Sequence, residues 1–157
     1  MTTSTPATTT VATPSDLLGY AGKTLGTSRW REITQPDVDQ FAQATGDEQW
    51  IHVDVERAKT GPFGGTIAHG YMTLPLIAPL FDDVLTVDKL GMGVNYGLNK
   101  TRFPAPVPVG SRVRLTADVA SAEEIKGGVQ IVAAVTIERD GGDKPVCIAE
   151  VVLRYYD

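Results

Sequence analysis

The sequence predicts one α+β domain in which an antiparallel sheet wraps a central apolar helix. Three observations lead there. Everything after Gly91 alternates apolar and polar residues, with glycine-rich turns between the runs, the pattern of strands with one wet face. The stretch from Tyr71 to Leu85 is apolar around its whole circumference, as expected of a helix enclosed by protein on all sides. Ahead of it lie shorter helical patterns and a weak strand, which completes an α+β order rather than a βαβ repeat.

In chain order, residues 1–14 are rich in Thr, Ala and Pro and hold no charged or aromatic side chain. Such a segment buries too little to offset its ordering entropy, so a flexible tail is expected, with the domain spanning 15–157. The tail lacks the basic start and continuous apolar centre of a secretory signal. Ser15 to Tyr20 reads as a short helical turn and Lys23 to Ile33 as a strand. Thr34 then caps a helix whose first turn holds Pro36 and Asp37, with Val38, Phe41, Ala42 and Thr45 at helical spacing and Gly46 as its stop. A loop over Asp47–Val53 and a short helix from Asp54 to about Gly61 follow.

The helix from Gly70 carries Pro75 and Pro79. An interior proline removes a hydrogen bond and costs about 3 kcal/mol, so a kink or a late start is expected. Gly93 to Phe103 reads as the next strand, closed by Pro104, Pro106 and Pro108. Three strands then place Val113, Leu115, Ala117 and Val119, Val129 to Ile137, and Cys147 to Tyr155 on inner faces. Lys126-Gly127-Gly128 and Asp140-Gly141-Gly142-Asp143 make the turns.

Composition narrows the partners. A net charge of −5 with scattered basic residues argues against nucleic acid, whose binding rests on clustered Lys and Arg. No stretch is long and apolar enough to span a membrane. Cys147 is the single cysteine and sits in an alternating apolar run, so it reads as a buried small hydrophobe, and a reducing, cytoplasmic setting follows.

The chemistry concentrates between Thr45 and Gly70, which hold both histidines. Asp47 and His52 are five residues apart, opposite on a strand and well separated around a helix, so they converge only if the chain bends after Gly46. A carboxylate and an imidazole that converge can hold one water and pass protons either way. Taken singly, Asp47 after a helix-ending glycine is an ordinary turn residue. His52, Asp54 and His69 raise a metal site, but their spacing matches no established ligand pattern, so none is expected. The Gly61–Gly65 and Gly91–Gly97 stretches lack the phosphate-loop and dinucleotide spacings and read as turns. Gly70, at the start of the buried helix, offers a backbone N–H to an oxygen that becomes negative.

Gly46-Asp47, His52, Asp54, Ala58, Phe63-Gly64 and Ile67-Ala68-His69-Gly70 resemble the hydratase 2 motif of MaoC-like (R)-specific enoyl-CoA hydratases, a family with the hot-dog fold. Residues 95–107 resemble the strand and exit loop of its single-domain actinobacterial (R)-3-hydroxyacyl-CoA dehydratases, and the likeness runs from about Leu17 to Tyr156. It implies that Asp47 and His52 form the catalytic pair and that the Gly70 N–H binds the thioester oxygen. The implied reaction is reversible syn hydration of a trans-2-enoyl-CoA by a homodimer. Phe63, His69, Tyr71, Lys100 and Arg102 are the candidate substrate-binding residues. No cofactor is implied, since coenzyme A enters as part of the substrate. Gln49 and Trp50 stand where many members have Asn and Pro, and Ala78 where some have serine. The fold also serves thioesterases and non-catalytic acyl-thioester-binding proteins, which are the alternatives.

Overall fold

The computed structural model describes residues 8–157. A 3-10 turn at Pro14–Tyr20 leads into two short strands, β2 (Thr24–Thr27) and β3 (Arg31–Glu32). Helix α1 (Gln35–Thr45) is followed by two one-turn helices, α2 (Trp50–Val53) and α3 (Val55–Ala58). A 3-10 turn at Gly70–Met72 opens α4 (Thr73–Phe81), and the strands β5 (Met92–Arg102), β6 (Arg112–Ile125), β7 (Gly128–Arg139) and β8 (Cys147–Tyr156) complete the main sheet. Its order is β2-β6-β7-β8-β5, antiparallel throughout, with β3 also paired to β6.

The alternation reads directly into the core. Val113, Leu115, Ala117, Val119, Ile131, Val135, Ile137, Cys147 and Ala149 are all buried and form one cluster with Leu76, Ile77, Leu80 and Phe81 of α4. Burial of an aliphatic side chain contributes about 1.5–3 kcal/mol, so this contact between helix and sheet holds the domain together. Gly127, at φ 81°, makes the tight β6–β7 turn that the Gly pair implied.

Four expectations change. First, part of the expected tail is built into the fold: Thr9–Val11 forms β1, paired in parallel with β4 (Leu85–Val87). Val11 is buried, the Thr9 hydroxyl donates to the Leu25 carbonyl at 2.6 Å, and Pro14 opens the following turn. The β-branched Thr9, Thr10 and Val11 suit a strand, and pairing supplies what composition alone did not. The rest of the expected tail, residues 1–7, lies outside the described residues. Second, the single strand expected over Lys23–Ile33 is broken, both halves pairing with β6. Third, the expected loop over Asp47–Val53 closes into a helical turn from Trp50.

The fourth concerns α4. It starts late, at Thr73, as its prolines implied, but it ends already at Phe81, so Leu85 belongs to a strand. Leu76, Ile77, Leu80 and Phe81 are enclosed, whereas Pro75, Ala78 and Pro79 are exposed. This open face accommodates the prolines. Pro75 falls in the first turn, where an N–H has no helical partner, and the carbonyl that Pro79 leaves free is that of Pro75, on the exposed side.

Helix α1 carries a full capping box. The Thr34 hydroxyl accepts from the Asp37 N–H at 3.3 Å, and the Asp37 carboxylate accepts from the Thr34 N–H at 2.9 Å. The bond from the Thr34 backbone N–H, aided by the Thr34 hydroxyl donating to the same carboxylate at 2.8 Å, holds the Asp37 carboxyl below its usual range against the opposing effect of burial. Replacement Thr34→Ala is expected to cost about 1 kcal/mol, and Thr34→Ala/Asp37→Ala less than the two single losses combined, read as urea midpoints at constant m-value.

Candidate active site

The site is assembled by two clamped segments. Gly46 ends α1 with φ 79°, a left-handed cap that an L side chain rarely adopts, and its N–H donates to the Ala42 carbonyl at 2.8 Å. The chain turns sharply there and re-enters a helical turn at Trp50, which makes the five-residue spacing of Asp47 and His52 productive. The second segment, Thr66 to Ala68, is held on both sides. The Ile67 N–H donates to the Ile51 carbonyl at 3.0 Å, and the Ala68 and Val109 N–H groups bond to Val107 and Thr66.

His52, 6% exposed, brings its Nδ1 to 2.7 Å from the Ile67 carbonyl. A carbonyl only accepts, so Nδ1 carries the proton and Nε2 is left as the free base. Burial pushes the His52 pKa down, with the neighbouring His69 in the same direction; the bond to Ile67 and the Asp47 charge oppose the shift. His69, 2% exposed, stacks on His52 with ring centroids 3.8 Å apart and planes 25° apart, and Phe41 covers it at 4.9 Å. Its Nε2 donates to the Asp47 carbonyl at 2.8 Å and lies 4.0 Å from the Asp47 carboxylate.

An Asp47 carboxylate oxygen and one nitrogen from each histidine all lie within 4.8 Å of one another. A water bonded to two groups at about 2.8 Å with a tetrahedral angle spans roughly 4.6 Å, so the pair is spaced for one bridging water. The same three groups have the inventory of a metal site, but the orientation does not suit one. Both Nδ1 of His52 and Nε2 of His69 are committed to carbonyls, and an ion shared between stacked rings would lie out of both ring planes, away from the lone pairs. Asp54 is not in the cluster, because its carboxylate caps α3 by accepting from the Arg57 N–H at 3.0 Å.

A cleft of about 360 Å³ opens beside the pair, lined by His52, His69, Gly70, Phe63, Thr73 and Phe103 among others. Gly70 sits under the Phe103 ring, where an added Cβ would lie 3.1 Å from a ring carbon, so close approach is the reason for glycine here. Among the described residues the Gly70 N–H has no backbone acceptor. Of the sequence-derived candidates, Asp47, His52, His69, Gly70 and Phe63 come together. Tyr71, 71% exposed, is not part of the cleft lining and packs edge-on against Phe103. Lys100 and Arg102 are exposed on β5 outside the cleft, Arg102 one residue from Phe103.

The structure adds residues that spacing did not reveal. Gln35 donates from Nε2 to the His52 carbonyl at 2.8 Å and accepts from the Thr66 hydroxyl at 2.6 Å, joining the two segments. The Thr73 hydroxyl donates to the Gly70 carbonyl at 2.7 Å. Partners 17 and 31 residues from Gln35 leave no periodic signal. The unusual Trp50 is a brace: its ring meets Gly61, where a Cβ would lie 3.0 Å away, and the Arg57 guanidinium stands 4.2 Å from its centre.

Comparisons with known proteins agree with this geometry. Residues 16–140 match the family model described as MaoC like domain. The chain is 54% identical over 142 residues to 3-hydroxyacyl-thioester dehydratase Z of Mycobacterium tuberculosis, covering 90% of this chain and 94% of that protein. It is 41% identical to nodulation protein N of Rhizobium leguminosarum, covering 86% of each. An unliganded R-hydratase from Pseudomonas aeruginosa superposes with a TM-score of 0.68 at 25% identity, covering 87% of this chain and 82% of that one. An antiparallel sheet around one helix, the two-segment site and matches over nearly the whole chain lead to one conclusion: the chain belongs to the MaoC-like domain family and has its hot-dog fold.

Proposed function

We propose that this protein interconverts a 3-hydroxyacyl thioester and the corresponding trans-2-enoyl thioester, with Asp47 and His52 as the catalytic pair. The observation that carries the reading is the convergence of the Asp47 carboxylate and the His52 imidazole, whose Nδ1 is committed to Ile67, at a separation one water can bridge, beside a cleft that Gly70 helps to line. The dehydratase relative at 54% identity supports the same reaction class. In the hydration direction, Asp47 and His52 orient the water and take its proton as its oxygen bonds to C3. Negative charge moves to the thioester oxygen, where the Gly70 N–H is worth most because the cleft is apolar. The proton reaches C2 from the same face. The reverse sequence eliminates water, and neither direction needs a resident cofactor.

The finer assignments belong to the same proposal: an (R)-configured hydroxyl, coenzyme A as carrier with Lys100 and Arg102 near its phosphates, and a cytoplasmic setting suited to the buried thiol of Cys147. A homodimer also fits. Strand β5 is an eleven-residue edge strand with Met92, Tyr96 and Leu98 exposed, and a long apolar edge is a template for pairing with another chain. The open face of α4 lies beside it. Between α4 and β5 runs an apolar groove of about 360 Å³ lined by Leu74, Ile77, Ala78 and Leu98, a path for the acyl chain.

Incubation with crotonyl-CoA is expected to consume the enoyl absorbance and yield the (R)-hydroxy product. Asp47→Asn and His52→Ala are each expected to lower kcat at least about 10²-fold, the scale of general acid–base catalysis. Wild-type rates in both variants would refute the pair; thiol release without hydration would identify a thioesterase, and binding without turnover a carrier protein. Stability is expected to follow pH through His52. Its folded pKa is depressed, so the unfolded chain takes up the proton first. Stability is therefore full above about 6.5 and falls as pH drops towards the folded pKa, and His52→Gln flattens that slope in urea titrations. Finally, Tyr96→Asp/Leu98→Asp is expected to halve the mass measured by light scattering.

A further inference from the structure

We infer that His69 is a positioning residue that holds Asp47 in register with His52. The inference rests on the proposed hydratase reading and gives the second histidine a task within it. Among the described residues, the Asp47 carboxylate accepts no hydrogen bond, and its side chain is about half exposed. Its position is therefore set by its peptide. The peptide before Asp47 is weakly held: the Asp47 N–H reaches the Thr45 hydroxyl at 3.4 Å, at the limit of a hydrogen bond. The peptide after it carries the Asp47 carbonyl, and its N–H, that of Glu48, bonds within the loop to the Gly46 carbonyl at 3.2 Å. The tie that crosses the site is the bond from His69 Nε2 to the Asp47 carbonyl at 2.8 Å.

The same ring fixes the other half of the pair. His69 lies flat on His52 at 3.8 Å and is backed by Phe41. It thus touches both members at once, one through an in-plane N–H and one through its face. A phenylalanine would fill the space and keep the stack but lose the donor. The arrangement also carries a cost that packing alone would avoid: His69 Nδ1 is buried with no partner among the described residues, and an unsatisfied buried nitrogen is unfavourable. An imidazole kept there despite that cost is kept for the nitrogen that does bond.

Three variants separate this role from simple packing. His69→Phe keeps the ring; His69→Gln places an amide N–H near the position of Nε2; His69→Asn reaches only to the position of Nδ1. With crotonyl-CoA, His69→Phe and His69→Asn are expected to lose kcat about 10²-fold, the consequence of a misplacement near 1 Å, with KM within about twofold. His69→Gln is expected to recover at least about tenfold of that loss. Amide hydrogen exchange over residues 46–49 should quicken in His69→Phe and return towards wild type in His69→Gln. Equal kcat in the Phe and Gln variants, or unchanged exchange in both, overturns the inference. If the wild-type protein does not turn over crotonyl-CoA, the hydratase reading fails, and the exchange arms still decide whether His69 positions the loop. Should His69→Phe not fold, nitrogen-15 spectra of the wild-type imidazoles decide: the inference requires His69 as the Nε2–H tautomer, and a Nδ1–H ring there refutes it.

Discussion

The site depends on one hydrogen bond, from His52 Nδ1 to the Ile67 carbonyl. It joins the helical turn after the Gly46 bend to the segment that leads into α4, which are fifteen residues apart in sequence. It also selects the tautomer, since a donor at Nδ1 leaves Nε2 as the base. A buried carbonyl without a donor would cost about 1–3 kcal/mol, so the bond supports the fold and the chemistry together. The segment that supplies the carbonyl is rigid for the same reason: Ile67, Ala68 and Val109 are cross-bonded to Ile51, Val107 and Thr66. Gln35 closes the frame by holding the His52 carbonyl and the Thr66 hydroxyl from the first turn of α1.

Much of this was legible in residue patterns, for physical reasons that differ from element to element. The runs Val113–Val119 and Val129–Ile137 place an apolar residue at every second position, and a period of two sustained in successive runs points to strands. The α1 cap and stop were legible because Thr34, Asp37 and Gly46 each act through local backbone geometry. Thr9–Val11 was not, because what orders it is pairing with Leu85–Val87, more than seventy residues away. The open face of α4 was hidden for a different reason. Pro75, Ala78 and Pro79 are as apolar as their neighbours, and hydropathy does not separate a face buried by its own chain from one left for another surface.

At the site, Asp47, His52 and Gly70 were readable as a combination and His69 only as a neighbour. Sequence spacing measures separation along the chain, whereas the role of an imidazole is set by which nitrogen meets which carbonyl. Gln49 and Trp50 illustrate the converse. They depart from the common family residues at the centre of the loop, yet Trp50 turns away from the pair and packs between Gly61 and Arg57. The departure alters how the loop is braced and leaves Asp47 and His52 together.

Burial serves function here at a cost to stability. The desolvation that lowers the His52 pKa destabilises its charged form, and it also keeps Nε2 unprotonated near neutral pH. In the proposed reaction, the apolar side chains that line the cleft would strengthen the Gly70 N–H as a partner for a developing negative charge. Gly70 shows the constraint most sharply. Its missing side chain lets the Phe103 ring approach the peptide to 3.1 Å from where a Cβ would stand, while the backbone itself stays open to the cleft. A methyl group would retain the donor but force the Phe103 ring to shift. Packing therefore constrains the smallest residue of the site as the bond to Ile67 constrains His52.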